Sequence, residues 1–406
     1  MKCVVVIAIL MLLFSGSTQP TGAQPRIRLG CDVLLADSLH LLEGRRVGLL
    51  ANHTSRLSDG TYLYDALRVH PRVELTAIFS PEHGFHGTAD DGAIVSSGML
   101  DGMPLYSLYG QTRRPTPVMF ADIDILVMDL QGIGSRYYTY ISTMAYCMEA
   151  AADAGIPVVL TDRPNPLGGR RIEGIVAVDS LRSFVGMFPV PVRHGMTAGE
   201  LALMAVGEGW LREGVRPDLH VIPMQGWERS MYFDETGLTW TNPSPNMVSL
   251  DAAIAYVGTC LLEGSTLSEG RGTELPFLQF GAPFIEADEL ARRLNALSLP
   301  GVEFLPVRFT PAPRRGASHP RFSETDCDGV RVHIIDRAGF RPWRTGVEIL
   351  HTVRDLYGEK VRFTSYLSTL AGMKSLLSAT RDALLRRERK ESAEFSRARL
   401  PYLLYR

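Results

Sequence analysis

Short, mostly apolar segments alternate with helical patterns along the first half of the chain, and this alternation constrains the fold more than any other feature. Four such segments end at polar residues: Val47–Ala51, Leu75–Phe79, Ile123–Leu130 and Ile156–Leu160. Before the last of them, Tyr140–Ala154 places apolar side chains at helical spacing. Strands that are apolar on both faces and joined through helices form a parallel sheet covered on both sides. The sequence therefore predicts an α/β, Rossmann-like fold with a mostly parallel sheet.

The last third of the chain has a different pattern. Helices are predicted over 287–297 and 345–357, with strands over 304–309 and 330–335 between them. A chain of 406 residues is long enough for two domains. We therefore expect a Rossmann-like catalytic domain over residues 24–276 and a smaller α+β auxiliary domain over residues 277–406.

The amino terminus has the pattern of a secretory leader. Lys2 precedes a continuous apolar run from Cys3 to Phe14, and small and polar residues follow up to Ala23. A run of this length is too short to span a bilayer comfortably, which favours a signal peptide over residues 1–23 rather than a membrane anchor. No later stretch is long and apolar enough to span a membrane. The mature protein is therefore expected to be exported, periplasmic or secreted, without stable membrane insertion.

Charge and cysteine content exclude several functional classes. The net charge is −2 with no block of like charge, which gives no indication of nucleic-acid binding. The four cysteines after the leader form no Cys-x-x-Cys pair, so a structural zinc site is not predicted. Cys147 and Cys260 lie in helical patterns and are expected to be buried free thiols. Nucleotide-binding glycine motifs and a Gly-x-Ser-x-Gly elbow are missing from the sequence, and we expect no cofactor.

Polar side chains follow the predicted strands at the point where each strand ends. They are Asn52, His53, Glu82, His83, Asp129, Gln131, Asp162, Arg163 and Asn165. In open α/β sheets, ligands bind outside the carboxyl ends of the strands. The sequence therefore predicts that a functional site lies at this edge of the sheet. Asp129 and Asp162 either contribute to that site or hold loop amides and Arg163.

Glu82 is the main catalytic candidate. It lies in the segment Phe79–Gly87, with His83 and His86. Partial burial beside a strand end would raise the pKa of its carboxyl and keep it protonated as a general acid, while the alternative is an ordinary turn carboxylate. Three roles are open for the two histidines: they shift the pKa of Glu82, bind substrate or bind a metal. Their His-x-x-His spacing alone is weak evidence for a metal.

Other candidates lie farther along the chain. Asn52 and His53 suit ligand hydroxyls, although Asn52-His53-Thr54 also matches a glycosylation sequon. His194 is expected to face the cleft, whereas Glu200 belongs to a helix-capping box with Thr197. In the segment Ser268–Glu274, Arg271 can bind a carboxylate through two hydrogen bonds, and Glu269 either pairs with it or takes part in the chemistry.

Six sequence blocks together resemble a known enzyme family. They are GLLANHTS (48–55), FSPEHGFHG (79–87), MDLQGIGSRYYTY (128–140), LTDRPNPLGG (160–169), PVRHGMTAGELA (191–202) and LSEGRGTELPF (267–277). The combination is similar to the NamZ-type exo-β-N-acetylmuramidases, glycoside hydrolase family 171. The resemblance implies release of terminal N-acetylmuramic acid from non-reducing ends of peptidoglycan fragments, and hence muropeptides or disaccharides as partners. It also implies a Rossmann-like domain with an auxiliary domain and a cleft between them.

Carried over to this sequence, the resemblance makes Glu82 the catalytic acid and places the polar residues around Asn52, Arg163 and Arg271 in the cleft. The lactyl carboxylate of the sugar would then meet Arg163 or Arg271. The second catalytic function would come from Glu269, Asp129, Asp162 or the acetamido group of the substrate. The chain departs from the family pattern at Gly132, where Asp is common, and at His86, where Arg is frequent.

Two alternatives to the muramidase hypothesis remain at this stage. The first is an exported protein that binds muropeptides without cleaving them. The second is a metal-dependent hydrolase of another bond that uses His53, His83, His86 or His194. The sequence does not determine the oligomeric state.

Overall fold

The computed structural model describes residues 27–406, and the predicted signal peptide lies outside this range. A seven-stranded sheet forms the larger unit. Its strands are β1 (Arg46–Leu50), β2 (Glu74–Ser80), β3 (Gly98–Leu100), β4 (Met103–Ser107), β5 (Ile125–Met128), β6 (Val158–Thr161) and β7 (Leu219–Ile222). The spatial order is β3-β4-β2-β1-β5-β6-β7. All neighbours are parallel except β3 and β4, which confirms the predicted α/β fold.

Helices cover both faces of this sheet. They are α1 (Gly30–Asp37), α2 (Leu63–Arg68), α3 (Tyr140–Ala154) and α4 (Ala198–Gly207). Leu49 of β1 lies in one core with Leu34 of α1 and Leu67 of α2. Its neighbour Leu50 lies in the opposite core with Met148 of α3. Because successive side chains of a strand point to opposite faces, a strand buried on both faces has a continuous apolar sequence.

A smaller unit surrounds a three-stranded antiparallel sheet. Its elements are α5 (Leu250–Thr259), β8 (Gln279–Ala282), α6 (Ala287–Asn295), β9 (Val302–Phe309), β10 (Cys327–Ile334), α7 (Pro342–Tyr357) and α8 (Ser365–Ala371). The strand order is β8-β10-β9. Helix α5 precedes the boundary expected at residue 276, yet Ile254 and Val257 lie in the core of this smaller unit. A Cβ at Gly258 would lie 1.9 Å from the Pro342 carbonyl oxygen, so the close contact of α5 with α7 requires glycine.

The carboxyl-terminal segment returns to the larger unit. Helix α9 (Arg381–Ala398) places Phe395 in the core beside α3 and α4. Beyond it, the Tyr405 hydroxyl donates to Asp162 Oδ2 at 2.7 Å and accepts from the Met224 amide at 2.9 Å. The chain end therefore joins the auxiliary unit to the carboxyl end of β6.

The sequence predicted the long elements better than the short ones. The helix expected over 198–211 ends at Gly207, and the helix expected over 250–263 ends at Thr259, before a 3₁₀ turn over Cys260–Gly264. Strands β3, β4, β7 and β8 were not predicted. β3, β4 and β7 are partly exposed and have no continuous buried apolar run, and the sequence of β8, Gln-Phe-Gly-Ala, has a polar residue and a glycine among its four. All four cysteines of the described chain are buried free thiols, as predicted for Cys147 and Cys260. No helix within residues 27–406 combines the length and apolar character needed to cross a membrane.

Candidate active site

Glu82 lies just beyond the carboxyl end of β2, and its side chain is buried. Only 4% of the residue is exposed. Its Oε1 accepts a hydrogen bond from the Gly92 amide at 3.1 Å, and its Oε2 accepts one from the Thr139 hydroxyl at 2.6 Å. Thr139 directly precedes α3, so two different loops fix the orientation of this carboxyl group.

His83 lies beside Glu82 in a left-handed backbone conformation, with φ of +70°. Its Nδ1 donates to the Ala89 carbonyl oxygen at 2.8 Å, which leaves Nε2 for the pocket. One oxygen each of Glu82 and Asp91 and one nitrogen of His83 lie within 4.8 Å of one another. This trio combines a proton-transfer group with a donor set that could hold a metal ion.

Arg271 comes from the loop after α5 and faces the same pocket. Its Nη1 donates to Glu263 and Glu269, each at 2.9 Å, and its Nη2 donates to Asp91 at 3.3 Å. The guanidinium also lies 4.8 Å from the centre of the Phe277 ring. One cation therefore meets three carboxylates at the junction of the two units.

Glu263 is a buried carboxyl group of this cluster with a raised pKa. Burial raises its pKa to about 7, the charge of Arg271 opposes this shift, and the charges of Asp91 and Glu269 add to it. Near neutral pH, Glu263 therefore exists in both protonation states, and the net charge around Arg271 changes with pH.

The pocket that holds Glu82, Asp91 and Arg271 is narrow, with a volume of about 40 Å³. Ser244 and Asn246 from the loop before α5 also line it. Ligand-binding cavities usually have volumes of about 300–1,000 Å³. This pocket therefore has room for a reacting bond and its immediate surroundings rather than for a whole sugar ring.

A second cavity of about 350 Å³ lies at the carboxyl ends of β1, β5 and β6 and shares no lining residue with this pocket. We call it the switch-point cavity, because the chain winds in opposite directions from β1 and β5, the arrangement at which α/β proteins bind ligands. Its polar lining includes Thr54, Arg56, Gln131 and Arg163, and Phe233 forms part of an apolar wall. Among the predicted site residues, Gln131 and Arg163 therefore lie here rather than in the Glu82 pocket.

His53 and Asn52 follow β1 and line neither of the two cavities. His53 Nε2 donates to the Asn242 carbonyl oxygen at 2.8 Å. Burial lowers the pKa of His53, and the backbone hydrogen bond to Asn242 opposes that shift. The Asn52 amide donates to the Tyr140 hydroxyl at 2.9 Å and its Oδ1 accepts from the Thr54 hydroxyl at 2.6 Å. Both side chains hold loops together in this structure.

Arg163 and Asn165 are also engaged by neighbouring protein groups. Arg163 Nε donates to Asp129 Oδ1 at 2.5 Å, and the Thr161 hydroxyl donates to the other oxygen of Asp129 at 2.6 Å. The Asn165 side chain donates to the Met196 carbonyl oxygen at 3.0 Å and accepts from the Leu167 amide at 3.0 Å. Asp129 was expected either to contribute to the ligand site or to hold Arg163, and the structure shows the contact with Arg163.

The start of α4 has a structural role. Thr197 and Glu200 form the predicted capping box, which confirms that interpretation. Asp162 accepts from the Gly199 amide at 2.9 Å and the Thr197 hydroxyl at 2.6 Å, so it too holds this helix start. Burial raises the pKa of Asp162 to about 6, although its hydrogen bonds with Thr197, Tyr405 and Gly199 oppose the shift.

His194 is buried beneath the same loop, with 1% of the residue exposed. Its Nδ1 accepts from the Met196 amide at 3.1 Å. Burial lowers its pKa to about 3, and the positive charges of Arg399 and Arg136 act in the same direction. His194 is therefore a neutral imidazole at physiological pH, located away from the Glu82 pocket.

The structure thus brings Glu82, His83, Glu269 and Arg271 together and places the other predicted site residues elsewhere at the sheet edge. Sequence reasoning missed Asp91, Tyr109, Thr139, Asn246 and Glu263. The charge and hydrogen bond of Glu82 contribute, after burial, to raising the pKa of Tyr109, which places its phenol beside the carboxyl. The sequence does contain a clue to Asp91, because this residue precedes Gly92 in a polar turn close to Glu82. It contains none to Glu263, which ends an apolar helical pattern.

Comparisons with known proteins cover nearly the whole chain. Family models described as the N-terminal and C-terminal parts of the exo-beta-N-acetylmuramidase NamZ match residues 47–251 and 254–405. A curated relative, the peptidoglycan beta-N-acetylmuramidase NamZ of Bacillus subtilis (strain 168), is 41% identical over 402 residues, which are 96% of this chain and 94% of the relative.

Two crystal structures of DUF1343 family proteins from Bacteroides fragilis NCTC 9343 are also similar. The first has a TM-score of 0.86 and 37% identity, and the match covers 95% of this chain and 100% of the other. The second has a TM-score of 0.76 and 29% identity, with coverage of 94% and 99%.

Proposed function

The chain belongs to the NamZ family of exo-β-N-acetylmuramidases, and we propose that it is a glycoside hydrolase that releases terminal N-acetylmuramic acid from non-reducing ends of peptidoglycan fragments. The observation that carries this proposal within the site is the buried Glu82, held by two hydrogen bonds at the junction of the two units. A glycosidase needs such a fixed carboxyl group to protonate the leaving oxygen.

In the proposed reaction, Glu82 gives its proton to the glycosidic oxygen as the bond to C1 of the muramic acid breaks. Thr139 holds the carboxyl group in position, because its hydroxyl contacts Oε2 in this structure. A second group must then stabilise C1 before water arrives. Asp91 has an oxygen within 4.8 Å of Glu82, and Glu269 contacts the same arginine as Asp91. These two carboxylates and the acetamido group of the sugar are the candidates for this role, because Asp129 and Asp162 are held by protein groups.

The Glu82 pocket is too small for a whole sugar residue. The terminal ring must therefore extend into a wider space, and the switch-point cavity of about 350 Å³, at the same edge of the sheet, is large enough to receive part of the substrate. Gln131 and Arg163 would then meet polar groups of the fragment, while Phe233 and Leu238 would contact its apolar faces.

The proposal is tested with an aryl β-N-acetylmuramide and the matching N-acetylglucosaminide. We expect the wild-type protein to release the chromophore from the muramide. On a disaccharide with terminal N-acetylmuramic acid, whose leaving alcohol has to be protonated, Glu82→Gln should lower kcat/KM by about 10²–10⁴-fold, the usual contribution of proton transfer. Glu74→Gln, an exposed change at the opposite end of β2, is the matched control and should keep the wild-type rate. If the folded Glu82→Gln protein keeps more than about a tenth of the activity, Glu82 is not the acid.

A metal-dependent hydrolase is a second candidate, because Glu82, His83 and Asp91 have the donor atoms and spacing of a metal site. Chelation separates the two candidates. An aryl-muramidase activity that survives dialysis against a chelator supports acid catalysis by Glu82, whereas loss of activity that a divalent cation restores supports the metal.

We further propose that the protein is exported and acts in the periplasm or outside the cell. The basic and apolar pattern of residues 1–23 supports this location. Mass spectrometry of the protein recovered from a cell-envelope or medium fraction should find a mature chain that begins just after Ala23. A chain that keeps Met1 and stays inside the cell would contradict the proposal.

A further inference from the structure

Arg271 lines the same pocket as Glu82, but its positive charge is more than neutralised. Its Nη1 contacts Glu263 and Glu269, and its Nη2 contacts Asp91. When all three carboxylates are ionised, the cluster carries a net charge of −2. A fourth carboxylate brought to this guanidinium is therefore repelled, although the fork of a guanidinium suits a carboxylate.

The three carboxylates differ in how they can respond to such a ligand. The side chain of Asp91 is 50% exposed, so water screens its charge. Glu263 belongs to the 3₁₀ turn that follows α5, and its side chain is 14% exposed. Glu269 is also buried, with 8% of its side chain exposed. A buried carboxyl group relieves excess negative charge by taking up a proton. Glu263 is the carboxylate that lies among neutral phenol and thiol groups, so its excess charge has no cation other than Arg271 to balance it, and we take it as the group that responds.

The other side chains around Glu263 do not compete for this proton. The remaining titratable groups that face it are Tyr137, Tyr256, Cys260 and Tyr366. Burial raises the pKa of each of them, so they stay neutral near pH 7. Arg321 donates to the backbone carbonyl oxygen of Glu263 at 2.9 Å rather than to its carboxylate.

We propose that Arg271 recognises the carboxylate of the substrate sugar, and that this contact requires Glu263 to take up one proton. The inference rests on the proposed function, because only a carboxylate-bearing sugar such as N-acetylmuramic acid presents that group. Glu263 thereby acts as a specificity-determining residue that works through Arg271. When Glu263 is protonated, the guanidinium has one competing negative charge fewer, and the sugar carboxylate binds in a less repulsive field.

The pKa of Glu263 in the free protein sets the direction in which sugar binding depends on pH. The pKa of Glu263 is raised to about 7, and an added carboxylate raises it further. Binding of N-acetylmuramic acid should therefore be tightest below pH 7. Above that value Kd should rise by up to about tenfold per pH unit, the limit for uptake of one proton. N-acetylglucosamine lacks the carboxylate, so its binding should not depend on this proton.

The test is calorimetric titration of the wild-type protein with N-acetylmuramic acid at pH 8, in two buffers of different ionisation enthalpy. We expect uptake of more than about half a proton per bound sugar. In Glu263→Gln, the uptake should vanish and Kd should stay nearly constant between pH 6 and pH 8.5. Glu274→Gln is the control, because Glu274 lies on the same loop and pairs with Arg314 instead of Arg271.

Two outcomes would overturn the inference: binding without proton uptake in the wild type, or an unchanged pH dependence in folded Glu263→Gln. The wild-type measurement needs no variant and therefore does not depend on whether Glu263→Gln folds. Failure of this inference is also distinguishable from failure of the proposed function. A protein that cleaves the aryl muramide but binds the sugar without proton uptake keeps the function and loses only the role of Glu263.

Discussion

Two arginines at the carboxyl edge of the sheet have opposite electrostatic surroundings. Arg163 is buried and forms one salt bridge, with Asp129, in which both side chains are at most 5% exposed. Arg271 lies at the junction of the two units and contacts three carboxylates. The first pair has balanced charge, whereas the second cluster has an excess of negative charge.

The difference indicates what each region is built to do. A buried pair with matched charges and a further hydrogen bond to each partner fixes the ends of β5 and β6. A cluster with unmatched charge costs stability unless protons or ligands relieve it, and perturbed groups of this kind concentrate at functional sites. The comparison therefore assigns a mainly structural role to Arg163 and a functional role to Arg271.

The sharpest test of this comparison removes one carboxylate from each arginine. Asp129→Asn should lower the free energy of unfolding by about 3–5 kcal/mol, because it leaves a buried guanidinium without its counter-charge. Glu269→Gln should change it by no more than about 1 kcal/mol, because Arg271 keeps Glu263 and Asp91. Urea unfolding followed by circular dichroism measures both. Equal losses in the two variants would remove the distinction between the two regions.

The hydrogen bond between Thr139 and Glu82 provides a test within the functional region. Glu82 becomes a carboxylate as it gives up its proton, and a hydrogen bond to a charged group contributes about 1.5–3 kcal/mol. Thr139→Val should therefore lower kcat/KM on the disaccharide by about 10–100-fold. Stability should change little, because the Thr139 side chain makes no capping hydrogen bond to α3. Thr139→Ser keeps the hydroxyl and should restore most of the rate. An equally slow Thr139→Ser enzyme would show that the hydroxyl is not responsible.

The smallest expected effect concerns the structural region and its response to acid. The pKa of His194 is lowered to about 3 in the folded protein, while an unfolded histidine titrates near 6.5. The unfolded state therefore binds more protons between these values, and stability falls as pH decreases from about 6.5, by up to about 1.4 kcal/mol per pH unit. In His194→Asn this slope should flatten. Unfolding midpoints measured at pH 7, 6 and 5 test it, and an unchanged slope would locate the acid sensitivity elsewhere.

Much of the architecture could be predicted from local sequence patterns. The continuous apolar runs around Leu50 and Val127 indicated a sheet buried on both faces, and the helical spacing of 140–154 gave the full extent of α3. Strands β3 and β8 lack such a run, because glycine and polar residues interrupt their apolar side chains. The capping box of Thr197 and Glu200 was predictable because both partners lie within one helical turn.

The site was predictable only where its residues are close to one another along the chain. The sequence by itself placed Glu82 and His83 at the end of β2, and placed Glu269 beside Arg271, since adjacency and strand ends can be recognised without a structure. It also grouped Asn52 and Asn165 with them, because any polar residue that follows a strand could bind a ligand as far as the sequence tells, and it added His194. Only the tertiary structure decided which side chains already have protein partners. It also brought Asp91 to Arg271 across 180 residues, a contact that depends on how the two units meet. It buried Glu263 against the same cation as well, because the chain turns back between the 3₁₀ turn after α5 and the loop that carries Arg271.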